Sequence, residues 1–182
     1  MLYPPVALYL FAPFVYLPRI LWWAVPLAVL GWHAWTARPA WWSWPIIAGC
    51  LALVPTSAIL VYGNTDLWSA AFLALACRYG WPAVLLVLKP SVLPLALLWA
   101  RDRRWWAAAA VVGVLSLPFG SLWAEWVTIM LNVEGSLLRS ANALPWLAVP
   151  LVAWLARVAE DADPTRSALA GLRRLQGRIA VR

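Results

Sequence analysis

The sequence has few charged residues, and acidic residues are the rarest of them. Asp and Glu together number 7 among 182 residues, charged residues make up 12% of the chain, and there is one histidine. His33 has no His or Cys partner nearby, so the sequence gives no support for metal chemistry. Cys50 and Cys77 lie in apolar runs without CxxC spacing, which favours buried thiols over a disulfide or a metal site. We therefore predict no metal and no cofactor.

Apolar and aromatic residues are abundant instead. Hydrophobic residues make up 65% of the chain, the mean hydropathy is +0.78, and there are 16 Trp and 15 Pro. A soluble domain of this length does not have such a composition. Tryptophan pairs at the ends of apolar runs are typical of membrane interfaces. The sequence predicts an all-α integral membrane protein of about 6–7 transmembrane or re-entrant helices with Pro kinks.

The net charge of +7 predicts a lipid partner. The basic residues lie in loops and in the C-terminal segment, so the anionic inner leaflet of a bilayer is the expected partner and nucleic acid is not. Residues 1–158 are predicted to form a multi-spanning membrane domain. Residues 159–182 are predicted to form a cytoplasmic tail, because apolar and arginine residues alternate there at the spacing of a cationic amphipathic helix that begins near Asp163-Pro164.

One apolar run, Trp81–Ala100, holds a charge near its middle. Lys89 is followed at once by Pro90, and a lysine at that depth costs several kcal/mol unless it has a partner, a cavity or water. The run is long enough to span a bilayer core, with a kink at Pro90. The basic loop Arg101–Arg104 follows it, which the positive-inside rule places in the cytoplasm. We expect Trp81–Ala100 to cross the membrane from outside to inside.

The other membrane segments are predicted from apolar runs bounded by turn residues. They are Val6–Leu17 (short), Ile20–Thr36, Ile46–Tyr62, Leu67–Cys77 (short), Trp105–Leu117 (ending at Pro118), Ser121–Leu131 (lying flat in the interface) and Leu144–Leu155. Alternating sides from the Arg101–Arg104 loop places Arg38 and Arg78 outside and the C-terminal arginines inside. The expected localisation is the cell membrane, multi-pass, with the N-terminus outside and the C-terminus cytoplasmic.

Three short motifs in order resemble a known family. They are Tyr3-Pro4-Pro5, Gly63-Asn64-Thr65-Asp66, and Lys89-Pro90 followed by the arginine-rich loop. Their order and spacing resemble the polyprenol-phosphate-mannose-dependent mannosyltransferases, glycosyltransferase family 87 of the GT-C superfamily, from Tyr3 to about residue 142. Two departures matter: the family's Gly-Gln-x-Asn step is only partly kept here, and the family's catalytic aspartate lies upstream of the Tyr-Pro-Pro step, at which this chain starts.

The resemblance implies a glycosyl(mannosyl)transferase scaffold that binds a polyprenyl-phosphate sugar donor, and it leaves the catalytic residue unknown. It implies a substrate-binding set of Lys89, Tyr3, Asn64 and Asp66. The alternative for Lys89 is neutralisation by Asp66 or by carbonyls at the kink. A plain turn residue at the inner interface is the favoured interpretation of Asp66, and a hydrogen-bonded packing residue that of His33.

Two functions follow from these interpretations. A transferase, truncated or degenerate, predicts a cavity open to the outside and lined by Lys89. A non-catalytic accessory subunit of a larger membrane complex, bound to other membrane subunits, predicts that Lys89 is neutralised inside the protein and that there is no such cavity. Glu125 and Glu134 are the acids expected on the outer side, where a transferase needs a carboxylate base, although both are ordinary for a solvated surface.

Overall fold

The computed structural model describes residues 3–52, 65–132 and 144–162 of the chain. These residues form helices and connecting turns, with no strand among them, so the all-α prediction is confirmed. The α-helices are α1 (Ala7–Phe11), α2 (Leu21–Ala37), α3 (Trp44–Ala52), α4 (Asp66–Tyr79), α5 (Leu93–Ala96), α6 (Arg103–Ser116), α7 (Gly120–Asn132) and α8 (Leu144–Asp161). Short 3-10 helices cover Ala12–Val15, Trp41–Ser43, Trp81–Leu88, Pro90–Val92, Leu97–Trp99 and Leu117–Phe119.

Helix α4 lies at the centre of the bundle. Its sequence is rich in alanine, and Ala70, Leu73, Ala74 and Ala76 are completely buried. Small side chains allow neighbouring helices to approach closely, and α2, α8 and the 3-10 helix Trp81–Leu88 all pack against α4. The sequence predicted only a short apolar segment here, from Leu67 to Cys77, and it gave no sign that this segment is the core.

Helices α2, α4 and α8 run in the same direction. The rings of Trp22 and Trp68 lie 5.6 Å apart near the N-terminal ends of α2 and α4, and those of Trp32 and Tyr79 lie 6.4 Å apart near their C-terminal ends. Arg157, near the C-terminal end of α8, donates to the carbonyl of Thr36 at 2.9 Å. The C-terminal ends of all three helices therefore lie on one side of the bundle.

The run Trp81–Ala100 folds back on itself, which corrects the prediction that it crosses the membrane. Its first part is the 3-10 helix Trp81–Leu88, and its second part packs against the first. A Cβ atom added to Gly80 would lie 2.6 Å from Asp102 Oδ2 and 3.4 Å from the Trp99 ring. Because both ends of the run meet at Gly80, the segment is a helical hairpin with Lys89 at its tip.

Because the hairpin returns to Gly80, the Arg101–Arg104 loop lies on the same side of the bundle as the C-terminal ends of α2, α4 and α8. We call this side the arginine end. The arginine end contains Arg38, Arg78, Arg101, Arg103, Arg104 and Arg157. The prediction that Arg38 and Arg78 lie on the opposite side from the Arg101–Arg104 loop was therefore wrong. The positive-inside count assumed that each apolar run crosses the membrane, and the hairpin breaks that assumption. Arg19 precedes α2 and lies at the opposite end.

One continuous helical segment is long and apolar enough to cross a membrane among the described residues. It runs from Arg103 to Asn132, is 30 residues long and has a mean hydropathy of 1.7. Pro118 was predicted to end the helix, but it does not. The backbone changes to a 3-10 turn over Leu117–Phe119, whose hydrogen-bond pattern accommodates the N–H that proline lacks. Ser121–Leu131 is thus the second half of this helix.

Several other boundaries differ little from those expected. The run Ile20–Thr36, predicted as a membrane segment, forms helix α2 over Leu21–Ala37, so its position as a helix is confirmed. Helix α8 continues to Asp161, past the predicted domain boundary at 158. Residues 163–182, which hold most of the predicted amphipathic tail, lie outside the described residues, as do Asn64 and Glu134.

The close approach at Gly80 gives a test of the hairpin. Gly80 has φ +75°, and Gly80→Ala forces a side chain both into this conformation and against Asp102. We expect a loss of about 2 kcal/mol or more in unfolding free energy, measured as thermal stability in detergent. Gly31→Ala is the control: an added Cβ there meets nothing within 4 Å, and alanine in a helix interior gains about 0.5–1 kcal/mol. Equal effects at both positions would contradict the hairpin closure.

Candidate functional site

Lys89 leaves the helical conformation because a proline follows it. The residue before proline is disfavoured in the α region, and Lys89 adopts φ −127° and ψ 96°. The 3-10 helix Trp81–Leu88 ends at Lys89, and the 3-10 helix Pro90–Val92 begins immediately after it. The Lys-Pro step therefore makes the turn of the hairpin and places Lys89 at its tip.

The ammonium of Lys89 pairs with the carboxylate of Asp66. Lys89 Nζ contacts Asp66 Oδ1, and the side chains are 15% and 1% exposed, respectively. Asp66 is the first residue of α4, where the positive end of the helix dipole also favours a carboxylate. The prediction of Asp66 as a plain turn residue was wrong. The alternative in which Asp66 neutralises Lys89 is the one found, and the two charges hold the hairpin tip against the core helix.

The Tyr3-Pro4-Pro5 motif lies beside this pair. Tyr3 accepts a hydrogen bond from Thr65, with 2.7 Å between Thr65 Oγ1 and Tyr3 Oη. Thr65 directly precedes Asp66, and Pro4 and Pro5 are fully buried. The fixed φ of consecutive prolines carries the chain from Tyr3 into the core with little freedom. Three segments separated by up to 86 positions in sequence thus meet at one place, the Tyr3–Asp66–Lys89 site.

An apolar cavity of about 260 Å³ lies next to this site. Residues of the two arms of the hairpin and of α6 line it. Its lining residues Val6, Val87 and Leu93 are close in sequence to Pro5 and Lys89. Its other lining residues are Val84, Ala96, Trp105, Ala109, Val112, Gly113, Ser116 and Trp123. Such a lining suits a hydrocarbon chain and offers little to a sugar. Lys89 is not among the described residues that line this cavity.

The remaining candidates lie elsewhere. His33 is buried and its Nε2 donates to the carbonyl of Pro150 at 3.3 Å, which confirms the prediction of a packing residue. Cys50 and Cys77 are half-buried thiols rather than fully buried ones. Glu125 is exposed on α7 and is not part of the Tyr3–Asp66–Lys89 site.

A second cluster was missed by the sequence reasoning. Arg38, Arg78 and Arg157 line one cavity at the arginine end. They belong to three helices and are up to 119 positions apart, so no local motif marks them. The sequence does show that each arginine lies at or near the end of an apolar segment. It does not show which of these ends lie on the same side of the bundle.

Comparison of the chain with protein-family models, with curated proteins and with solved structures finds no match.

The Asp66–Lys89 pair predicts a non-additive response to mutation. Lys89→Met removes the cationic contact of a buried carboxylate, and Asp66→Asn removes the anionic contact of Lys89. Breaking a buried pair in this way costs about 3–5 kcal/mol, whereas replacing both members is often near neutral. We expect the double variant to unfold close to wild type in a denaturant titration in micelles. If the double variant loses the sum of the two single losses, the pair does not hold the tip.

Proposed function

We propose that this protein is a multi-pass membrane protein of the GT-C mannosyltransferase type, and that its Tyr3–Asp66–Lys89 site binds a polyprenyl-phosphate sugar. The observation that carries the proposal is the meeting of the three motif segments. Each of them alone is a weak sequence signal. Motifs that are far apart in the chain and share one place in the fold are expected of a common binding site, and chance motifs have no reason to converge.

The arginine end is the cytoplasmic side in this proposal. Seven tryptophans are exposed by more than a third of their surface, and all lie at or near the arginine end: Trp32, Trp35, Trp41, Trp42, Trp44, Trp81 and Trp106. Exposed tryptophans collect at membrane interfaces, and arginines collect on the cytoplasmic side. Helices α2, α6–α7 and α8 then cross or nearly cross the bilayer, and Trp81–Ala100 enters and returns.

This placement puts the Tyr3–Asp66–Lys89 site in the outer half of the membrane. Asp66 lies twelve residues before Arg78 on α4, which is about 18 Å of helix. The hydrocarbon core is about 30 Å thick, so a pair at this height is closer to the outer surface than to the cytoplasmic one. The N-terminus lies on the outer side and the end of α8 on the cytoplasmic side, in line with the localisation expected from the sequence.

The chemistry of the site fits a lipid phosphate. Lys89 is the more exposed member of the pair, so it is the member that a ligand can reach, and Asp66 positions it. The Tyr3 phenol accepts from Thr65 and keeps its own hydrogen to donate to a phosphate oxygen. The apolar cavity beside the tip accommodates the first part of a prenyl chain. We assign Lys89 and Tyr3 to phosphate binding and Asp66 to positioning Lys89.

A non-catalytic accessory subunit is the second candidate. The observation that favours it is the neutralisation of Lys89 by Asp66, since a paired lysine has less attraction for an anion. The segment Arg103–Asn132 also has no buried residue in its most apolar window, which leaves a long helical face for a partner helix. In this alternative the ion pair serves folding alone.

A binding assay in nanodiscs separates the two candidates. The ligand is a short-chain polyprenyl-phosphate mannose, and the proteins are wild type, Lys89→Met and the Asp66→Asn/Lys89→Met double variant. The double variant keeps the fold, so its loss of affinity reports the lost charge. We expect saturable binding by wild type. The affinity of the double variant should be lower by a factor of about ten or more, as for a lost charge-assisted hydrogen bond.

Arg101→Gln is the control, because it removes one positive charge at the arginine end. It should bind like wild type. If wild type does not bind and the protein purifies in a larger assembly, the transferase proposal fails and the accessory subunit remains. Equal binding by wild type and the double variant would show that the ligand uses another site.

A further inference from the structure

The arginine end holds a cavity of about 400 Å³ that the proposed transferase site does not use. Five of the described residues line it: Trp35, Thr36, Arg38, Arg78 and Arg157. Three of the five are arginines and none is acidic. A neighbouring cavity of about 460 Å³ shares Thr36, Arg78 and Arg157 and adds His33 and Trp154 to the lining. We call the first cavity the arginine basin.

Two of the three guanidinium groups are held in place by the protein. Arg157 Nη1 donates to the carbonyls of Thr36 and Ala37 at 2.9 and 3.4 Å. The Arg78 guanidinium carbon lies 5.0 Å from the centre of the Trp32 ring, within the range of a cation–π contact. Positively charged groups fixed before a ligand arrives lose less entropy on binding than mobile ones.

The third arginine sits at an unusual backbone position. Arg38 caps the C-terminal end of α2 with φ 46°, and it is the one non-glycine residue with positive φ among the described residues. Glycine or asparagine is the usual choice at such a position, and arginine pays the steric cost of a left-handed conformation. We therefore infer that the Arg38 side chain has a role at the cavity that it lines.

Helix capping alone does not account for the arrangement. Arginines near helix C-termini interact favourably with the carbonyls of their own helix. Arg157, however, belongs to α8 and bonds to the last carbonyls of α2, and Arg78 belongs to α4 and rests on a tryptophan of α2. Both side chains reach across helices to one cavity that Arg38 also lines, and guanidinium groups supply several hydrogen-bond donors to an anion.

We propose that the arginine basin binds the phosphate of an anionic phospholipid headgroup. Guanidinium groups match phosphate oxygens in charge and in hydrogen-bond geometry. The basin lies among exposed tryptophans: Trp35 and Trp41 are 80% and 79% exposed, as expected for side chains that lie in a membrane interface. A lipid headgroup is the phosphate that is always present at that depth, so it is the favoured source over free phosphate. This inference goes beyond the transferase site, which lies at the other end of α4.

The test is native mass spectrometry of the intact protein released from micelles, with phosphatidylglycerol or phosphatidylcholine added in a titration. The variants are Arg38→Asn, which suits the left-handed backbone, and Arg78→Gln. The matched control is Arg19→Gln, which removes the same charge from the opposite end of α2. Thermal stability of each variant is measured in parallel, so that misfolding is not mistaken for lost binding.

We expect wild type and Arg19→Gln to retain phosphatidylglycerol in preference to phosphatidylcholine. Each basin variant should weaken that retention about tenfold, the effect of one lost hydrogen bond to a charged group. Equal retention of both lipids, or retention unchanged in the basin variants, overturns the proposal. Inorganic phosphate is added in a separate arm. If it binds with the same arginine dependence while phosphatidylglycerol binds no better than phosphatidylcholine, the ligand is free phosphate and the lipid assignment is wrong.

Discussion

The ion pair between Asp66 and Lys89 is the contact on which the rest of the arrangement depends. A carboxylate that is 1% exposed is unfavourable by itself, because burial removes its hydration. Lys89 compensates it from the tip of a chain segment that is composed mostly of apolar residues. The pair thereby fixes the height of the hairpin against α4 and brings Tyr3 into the same place through Thr65.

The molecule has polar chemistry at both ends and apolar contacts between them. At one end a lysine, an aspartate and a phenol share a site next to an apolar cavity. At the other end several arginines and most of the exposed tryptophans lie together. The two ends differ in their charge: at the first, Lys89 is paired with Asp66, and at the second, three arginines line one cavity. Helix α4 joins the two and is itself almost entirely buried.

Features that depend on local sequence were predictable. Helix content follows from apolar runs, α2 was placed within one residue at each end, and the break at Lys89-Pro90 follows from the conformation that proline imposes on its predecessor. Tyr3, Asp66 and Lys89 were selected as candidate ligands through a family resemblance, and the structure brings them together, while Asn64 lies outside the described residues.

Features that depend on distant contacts were not predictable. An apolar run of membrane-spanning length has the same composition whether it crosses or returns, and the return here is marked only by Gly80 approaching Asp102. Asp66 looked like turn chemistry because Gly, Asn and Asp precede helices and form turns alike, and its partner is 23 positions away. One wrong crossing then reversed the predicted sides of Arg38 and Arg78, which hid the arginine basin.

The most direct test of this account is the sidedness of the two ends of the hairpin. In a background with Cys50 and Cys77 replaced by alanine, single variants Tyr79→Cys, Arg101→Cys and Arg19→Cys are labelled with a membrane-impermeant maleimide in right-side-out and inside-out vesicles. The account predicts that positions 79 and 101 react from the same, cytoplasmic side and position 19 from the other. Reaction of positions 79 and 101 from opposite sides would show that Trp81–Ala100 crosses the membrane and would contradict the hairpin.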